Sequence, residues 1–129
     1  MMKILVVDDE ADVRLLFEQR FRREIRAGVL AFAFAYSGEE ALAYLKQEKH
    51  YAETVLILSD INMPGISGLE LLRRVKHDHP TPPPAVMMIT AYGDAASYQK
   101  AMQLGANDFL TKPLNFTALR QKLIPLEAA

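Results

Sequence analysis

The chain contains five short hydrophobic runs separated by longer, mixed segments. Three runs, ILVV, VLIL and VMMI, are almost wholly apolar, which is typical of central strands buried on both faces. The second run, VLAFAFAY, alternates small and aromatic residues and indicates an edge strand packed more heavily on one side. The runs predict strands at residues 3–8, 29–36, 54–60, 85–90 and 107–111.

The segments between the runs predict helices at residues 11–26, 38–48, 68–78, 94–104 and 115–124. Two of the helix starts carry a serine with a glutamate three residues later, the pattern of a capping box: Ser37 with Glu40, and Ser67 with Glu70. Five strands in strict alternation with five helices predict an α/β fold, a parallel sheet covered on both faces. Such doubly wound sheets include the flavodoxin-like order 2-1-3-4-5, which we adopt as the expected order.

Four of the runs end on residues that can take part in phosphoryl chemistry. These residues are Asp8 and Asp9, Asp60, Thr90, and Lys112. Because the carboxyl ends of neighbouring parallel strands lie at one edge of a sheet, we expect these groups to share one crevice. Three carboxylates, a hydroxyl and an ammonium in one crevice predict a magnesium and phosphoryl site.

Length and composition exclude several classes of function. The 129 residues suit one domain, residues 1–129, with no room for a separate output domain. Fifteen basic and sixteen acidic residues leave no broad positive field for nucleic acid or an anionic membrane. The chain has no cysteine, no signal-like amino terminus and no apolar run near the roughly 20 residues of a membrane span. We therefore expect a cytoplasmic protein that binds neither nucleic acid nor membrane directly.

The motifs KILVVDDE, SDINMPGISGLELL, MMITAYGD and DFLTKP resemble the receiver domain of bacterial two-component response regulators, of the chemotaxis-regulator type. The resemblance runs from about Lys3 to about Leu123 and is specific, because each motif ends a separate hydrophobic run in the family's order. It implies a switch that accepts a phosphoryl group from a sensor histidine kinase or a histidine phosphotransfer protein. Such a switch catalyses its own phosphorylation and dephosphorylation, and controls a partner or an output domain outside the chain.

The resemblance implies that Asp60 is the phosphorylated residue. It also implies a Mg²⁺ ion bound by Asp8, Asp9, Asp60 and the backbone carbonyl of Asn62. Because clustered carboxylates repel each other without the ion, we expect their pKa values to rise. Either aspartate of the first pair, taken alone, also suits a helix cap, and Asp60 also suits capping of the turn that follows it.

Thr90 and Lys112 carry the catalytic roles that the resemblance implies. The Thr90 hydroxyl is expected to bond the phosphoryl group, and a cis peptide between Lys112 and Pro113 to place the ammonium beside Asp60. Thr90 and Phe109 are the expected switch pair, with Phe109 stabilised by packing alone because it lacks a hydroxyl. Without the resemblance, Thr90 reads as an ordinary strand residue, Lys112 as a surface lysine and Phe109 as core cover.

Two further expectations concern signal lifetime and the output surface. In this family the residues two beyond the Asp and two beyond the Thr, here Asn62 and Tyr92, influence dephosphorylation. Tyr92 offers no carboxylate to orient water, so we expect slower dephosphorylation than in fast chemotaxis regulators. Residues 94–104, 107–111 and 115–124 are expected to form the output face, which offers a surface for a partner or a weak homodimer.

Two alternatives use a similar fold. A haloacid-dehalogenase-like Mg²⁺ phosphatase also has an Asp nucleophile beside Thr and Lys, but it needs Asp-x-Asp after the first strand. Here the third residue is Glu10. A flavodoxin-like cofactor carrier needs hydroxyls and free amides in the loop that here reads DDEAD.

Overall fold

The computed structural model describes residues 1–78, 82–91 and 94–128, with side chains described to residue 123. Its strands form one five-stranded parallel sheet in the order β2-β1-β3-β4-β5, which confirms the predicted order. The strands are β1 (Met2–Val7), β2 (Leu30–Ala35), β3 (Thr54–Asp60), β4 (Ala85–Ala91) and β5 (Asp108–Lys112). All five predicted strands are therefore present, with bounds shifted by at most one residue.

Seven helices, rather than the predicted five, occur in the described part of the chain. They are α1 (Asp12–Arg20), α2 (Arg22–Arg26), α3 (Gly38–Leu45), α4 (Glu48–Glu53), α5 (Gly68–His77), α6 (Ala95–Gln103) and α7 (Phe116–Ala128). The increase comes from one predicted helix that is broken in two and from one short helix that was not predicted. In addition, α7 continues past Pro125, where the sequence predicted that it would end.

The predicted helix 11–26 breaks at Phe21, whose backbone leaves the helical region with φ −111° and ψ 22°. The ring of Phe21 is completely buried, and it lies near the rings of Phe17 and Phe32. Arg120 of α7 donates a 2.6 Å hydrogen bond to the carbonyl of Arg20, an acceptor at the break. Burial of the Phe21 ring and the hydrogen bond from Arg120 thus compensate for the interruption of the helical hydrogen bonding.

The helix α4 (Glu48–Glu53) was not predicted, because its sequence EKHYAE is polar and lacks helical apolar spacing. The two predicted caps are present at Ser37 and Ser67, each of which accepts from the backbone N–H of the glutamate three residues later. Neither glutamate side chain completes the capping box by accepting from the backbone N–H of its serine. Glu40 accepts from the backbone N–H of Tyr36, and Glu70 pairs with arginines of its own helix.

Side chains that alternate along the strands form a core on each face of the sheet. On β1, Ile4 and Val6 face one side while Leu5 and Val7 face the other, as the period of two requires. α1 and α7 pack on the first side, and α3, α5 and α6 on the second. Both faces are covered, as predicted from the near-continuous apolar strands. Within the described residues, no helix is long and apolar enough to cross a membrane.

Candidate metal and phosphoryl site

The pairing register of the sheet brings the predicted site residues to one edge. Val7, at the end of β1, lies opposite Ser59 of β3. The residues that follow this pair, Asp8 and Asp60, therefore emerge side by side. Lys112 ends β5 opposite the last residue of β4, at the same edge of the sheet. The crevice predicted from the strand ends is thus present.

Asp60 is 5% exposed and both of its carboxylate oxygens are bound. One accepts a 2.9 Å hydrogen bond from Lys112 Nζ, and the other accepts from the backbone N–H of Asn62 at 3.3 Å. Gly68, the first residue of α5, packs directly on the backbone of Asp60. A Cβ at position 68 would lie 2.7 Å from the Cα of Ile61 and would overlap the carbonyl oxygen of Asp60. Only glycine permits this approach.

Asp8, Asp9 and Asp60 each place a carboxylate oxygen within 4.8 Å of the others. Asp8 is buried and Asp9 is exposed. Burial raises the pKa of Asp8, a hydrogen bond from the Glu10 backbone N–H lowers it, and the charge of Asp60 raises it further. The predicted rise is therefore confirmed for Asp8, although burial contributes more than charge repulsion.

The donor set fits Mg²⁺, a hard cation that prefers carboxylate oxygens and retains several waters. Two of the three carboxylates are buried, and such charges need a compensating cation. Lys112 supplies one positive charge, 2.9 Å from Asp60 and 4.0 Å from Asp8. One ammonium for three carboxylates leaves an excess of negative charge that a divalent cation would balance. The carbonyl of Asn62 remains a predicted ligand, and the residue itself is exposed.

Lys112 occupies the predicted position, and its peptide bond to Pro113 is cis, as predicted. Burial lowers the pKa of Lys112, because it disfavours the charged ammonium. The hydrogen bond to Asp60 and the negative charges of Asp60, Asp8 and Glu10 have a larger, opposite effect, so the pKa of Lys112 is raised. Lys112 therefore remains protonated beside Asp60, which holds the pair together in this state of the molecule.

Thr90 is 1% exposed, and its hydroxyl is buried without a hydrogen-bond partner among the described residues. Buried hydroxyls nearly always have hydrogen-bond partners, so the Thr90 hydroxyl is an exception. It can donate a hydrogen bond to a group that binds at this edge of the sheet. Thr90 lies one residue before the end of β4 and pairs with Thr111 of β5. It is therefore close to the edge of the sheet where the carboxylates meet.

Phe109 is half-buried on β5, and its ring contacts Tyr98 of α6 edge to face, with centroids 4.9 Å apart. The aromatic residue predicted as a switch thus packs from β5 against a half-exposed residue of α6. Tyr92, predicted to influence dephosphorylation, lies outside the described residues.

Sequence reasoning missed one side chain that contacts the site loop. Glu39, in the first turn of α3, accepts a 3.2 Å hydrogen bond from the backbone N–H of Ile66, in the loop that follows Asp60. The capping pattern had drawn attention to the neighbouring Glu40. No local signal distinguishes Glu39, because its partner lies 27 residues away.

Comparison with known proteins agrees with this geometry. Residues 4–124 match the model of the response regulator receiver domain. The chain is 33% identical over 119 residues to a probable chemotaxis protein CheY from Rhizobium etli, covering 92% of this chain and 87% of that protein. It is also similar to the response regulator protein PilR of Pseudomonas aeruginosa, at 38% identity over 92% of this chain but only 24% of PilR.

The same fold occurs in solved structures. A response regulator receiver domain protein from Clostridium thermocellum superposes with a TM-score of 0.83 at 26% identity, covering 99% of this chain and 95% of that one. The BeF3-activated DrrB receiver domain gives a TM-score of 0.79 at 25% identity, with both chains covered completely.

Proposed function

This chain belongs to the response regulator receiver family, and on that premise we propose that Asp60 is its phosphoryl acceptor. Receiver domains of two-component systems are phosphoacceptor switches that interact with histidine kinases or phosphotransfer proteins. Phosphorylation on aspartate and use of Mg²⁺ are general properties of the family. One observation carries the assignment of Asp60: it is a buried carboxylate bonded to Lys112 and within 4.8 Å of two other carboxylates.

In the proposed reaction, a carboxylate oxygen of Asp60 attacks the phosphorus of a phosphohistidine. A P–O bond forms, the P–N bond breaks, and the released imidazole takes up a proton from solvent. Mg²⁺ held by Asp8, Asp9 and Asp60 would supply positive charge that offsets the repulsion between the carboxylate and the phosphoryl oxygens. Water then attacks the phosphorus of the product, the bond between phosphorus and the Asp60 oxygen breaks, and inorganic phosphate leaves while the carboxylate is restored. We propose that the domain promotes both steps itself.

Lys112 and Thr90 would respond to the new charge. In the described state Lys112 bonds Asp60 directly, and its ammonium is close enough to bond a phosphoryl oxygen instead. The unpartnered hydroxyl of Thr90 provides a donor for another phosphoryl oxygen. Movement of Thr90 toward the phosphoryl group would leave space into which Phe109 moves. This would change the surface formed by α6, β5 and α7.

The first test is phosphorylation by a small donor. Acetyl phosphate should phosphorylate the wild-type domain, and beryllofluoride should bind to it, only when Mg²⁺ is present. Asp60→Asn should abolish both, which would be measured by intact-mass analysis for the phosphoryl group and by NMR for beryllofluoride. Lys112→Ala should still bind Mg²⁺ and accept the phosphoryl group but lose the conformational response.

The matched control is Asp12→Asn, which changes an exposed carboxylate at the start of α1. It should be modified like the wild type. Labelling that persists in Asp60→Asn would assign the phosphoryl group to another residue and overturn the proposal.

Several finer expectations remain proposals. They are a cognate histidine kinase or phosphotransfer protein as donor, a cytoplasmic location, a single domain over residues 1–129, and a weak homodimer through α6, β5 and α7. Slow dephosphorylation governed by Asn62 and Tyr92 belongs with them. The family match does not favour the haloacid-dehalogenase-like phosphatase. The chain spans most of the Rhizobium chemotaxis protein but about a quarter of PilR.

A further inference from the structure

We propose that Glu39 is a positioning residue that anchors the loop after Asp60 and thereby supports Mg²⁺ binding. The inference rests on the proposed function, because it assigns a purpose to a contact near that site. The loop runs from Ile61 to Ser67 and joins β3 to α5. It contains Asn62, whose carbonyl is the predicted fourth ligand.

The loop is held firmly at its two ends. Ile61 donates from its backbone N–H to the carbonyl of Ile89 at 3.0 Å, and Gly68 donates to the carbonyl of Ile61 at 2.8 Å. Between these ends, Asn62 donates back to Asp60 at 3.3 Å. These bonds fix the start and the end of the loop, but they leave its tip dependent on other contacts.

Met63 and Ile66 pack their side chains on the core, and Glu39 makes the polar contact at the tip. Of residues 63–67 in the described structure, Ile66 is the one whose backbone N–H bonds another part of the chain, and its acceptor is the Glu39 carboxylate at 3.2 Å. A hydrogen bond to a charged acceptor is stronger than one between neutral groups. The bond is exposed, so its contribution to overall stability is modest, but it constrains the position of the loop.

Two glycines allow the first turn of α3 and the loop tip to approach each other. Gly65 has a φ of +74°, and a Cβ there would lie 2.5 Å and 3.1 Å from the two carboxylate oxygens of Glu39. Gly38 lies against Ile66, where a Cβ would come within 2.9 Å of that side chain. The first turn of α3 and the loop tip are therefore in tight contact.

Glu39 is unlike the neighbouring Glu40, although both carboxylates lie in the same helical turn and both are exposed. Glu40 accepts from the backbone N–H of Tyr36, within its own segment, and does not reach the loop. The pair therefore offers a matched comparison. Removal of either carboxylate costs one charge and one hydrogen bond, but only one of the two removals frees the loop.

The test measures Mg²⁺ affinity by calorimetry in the full chain. Glu39→Ala should weaken Mg²⁺ binding about threefold, below the range for groups that bond a metal ligand directly. Glu39→Gln retains an oxygen acceptor and should bind Mg²⁺ like the wild type. Glu40→Ala should also match the wild type, even if its unfolding temperature falls as much as that of Glu39→Ala.

Hydrogen exchange at the Ile66 amide gives a readout independent of the metal. Exchange should accelerate in Glu39→Ala and remain slow in Glu39→Gln and Glu40→Ala. Wild-type Mg²⁺ affinity and wild-type exchange in Glu39→Ala would overturn the role of Glu39, and so would equal losses in Glu40→Ala. Failure of the wild type to bind Mg²⁺ or to be modified at Asp60 would instead overturn the proposed function, and the exchange result would still test the anchor.

Discussion

At the scale of single residues, the site combines groups that stabilise the fold with groups that oppose it. Lys112 and Asp60 form a close ion pair, whereas Asp8 is a buried carboxylate whose nearest ammonium nitrogen is 4.0 Å away. Burial raises the pKa of Asp8, which means that the metal-free fold favours its protonated form. The site is therefore arranged for a bound cation rather than for maximal stability of the free protein.

The first stability prediction concerns Asp8→Asn in the absence of Mg²⁺. Because the pKa of Asp8 is raised on folding, the proton that stabilises the fold is lost as pH rises through the folded value. At pH 7 the asparagine variant should therefore be more stable than the wild type by about 1 kcal/mol, a usual size for one substitution. Urea unfolding in a chelator would measure the difference.

The same change should give a distinct pH profile. The advantage of Asp8→Asn should shrink as pH falls through the raised pKa of the folded state and disappear below the ordinary carboxyl value of 3.8, where the wild-type group is protonated in both states. Excess Mg²⁺ should reverse the order, because the wild type gains binding energy that the variant lacks. Asp12→Asn is the control and should show neither effect. An Asp8→Asn variant less stable than the wild type at pH 7 without metal would contradict the argument.

At the scale of elements, sequence reasoning was most successful where local pattern decides the structure. The three central strands were predictable because their residues are apolar on both faces, and the serine caps because the pattern is local. The break at Phe21 was not predictable. It depends on Arg120, which is 100 residues away from its acceptor, and on aromatic rings from β2 and α7.

At the candidate site, too, local patterns were predictable and long-range contacts were not. Strand ends were enough to predict that Asp8, Asp60 and Lys112 meet, because parallel register brings the carboxyl ends of strands together. The contact of Glu39 with Ile66 was missed, because it joins a helix start to a loop whose conformation has no periodic signal. The unpartnered state of the Thr90 hydroxyl could not be predicted either, because it depends on all the surrounding side chains.

The junction of β3 and α5 gives a prediction for Gly68→Ala. At an unstrained helical position this change would stabilise a protein by up to about 1 kcal/mol. Here the added methyl would overlap the backbone of Asp60 and Ile61, so we expect a loss of about 1–3 kcal/mol. Chemical denaturation would measure the loss, and phosphorylation of Asp60 should slow because its backbone must shift.

The control for this prediction is Gly28→Ala. Gly28 has a φ of +74°, but no atom lies within 4 Å of the position of its Cβ. The change should cost about 1 kcal/mol through backbone strain alone and leave phosphorylation unaffected. Equal phosphorylation rates in the two alanine variants would show that the tight contact at Gly68 does not influence the acceptor.

At the scale of the whole molecule, activation should reach the surface through β4 and β5. Thr90 on β4 has no hydrogen-bond partner in the described structure, and Phe109 on the adjacent strand contacts Tyr98 on the outside. Beryllofluoride should therefore shift amide resonances mainly in α6, β5 and α7, which would be measured by heteronuclear NMR. Such a switch needs a difference of only a few kcal/mol between two states.

Asp60→Asn is the control for these spectra, and it should show no beryllofluoride shifts. The shifts of the wild type should be largest near Tyr98 and Phe109. Shifts concentrated on α1 instead would show that the conformational response takes another route.

The distance along the chain between Asp60 and Lys112 also affects how the protein folds. Their ion pair joins residues 52 positions apart, across strands that pair in parallel and need long connections. During synthesis, the acidic residues leave the ribosome well before the lysine that balances them. A folding intermediate that lacks β5 would therefore contain the acceptor without its counter-charge, and competence for phosphorylation should appear last, together with the completed sheet.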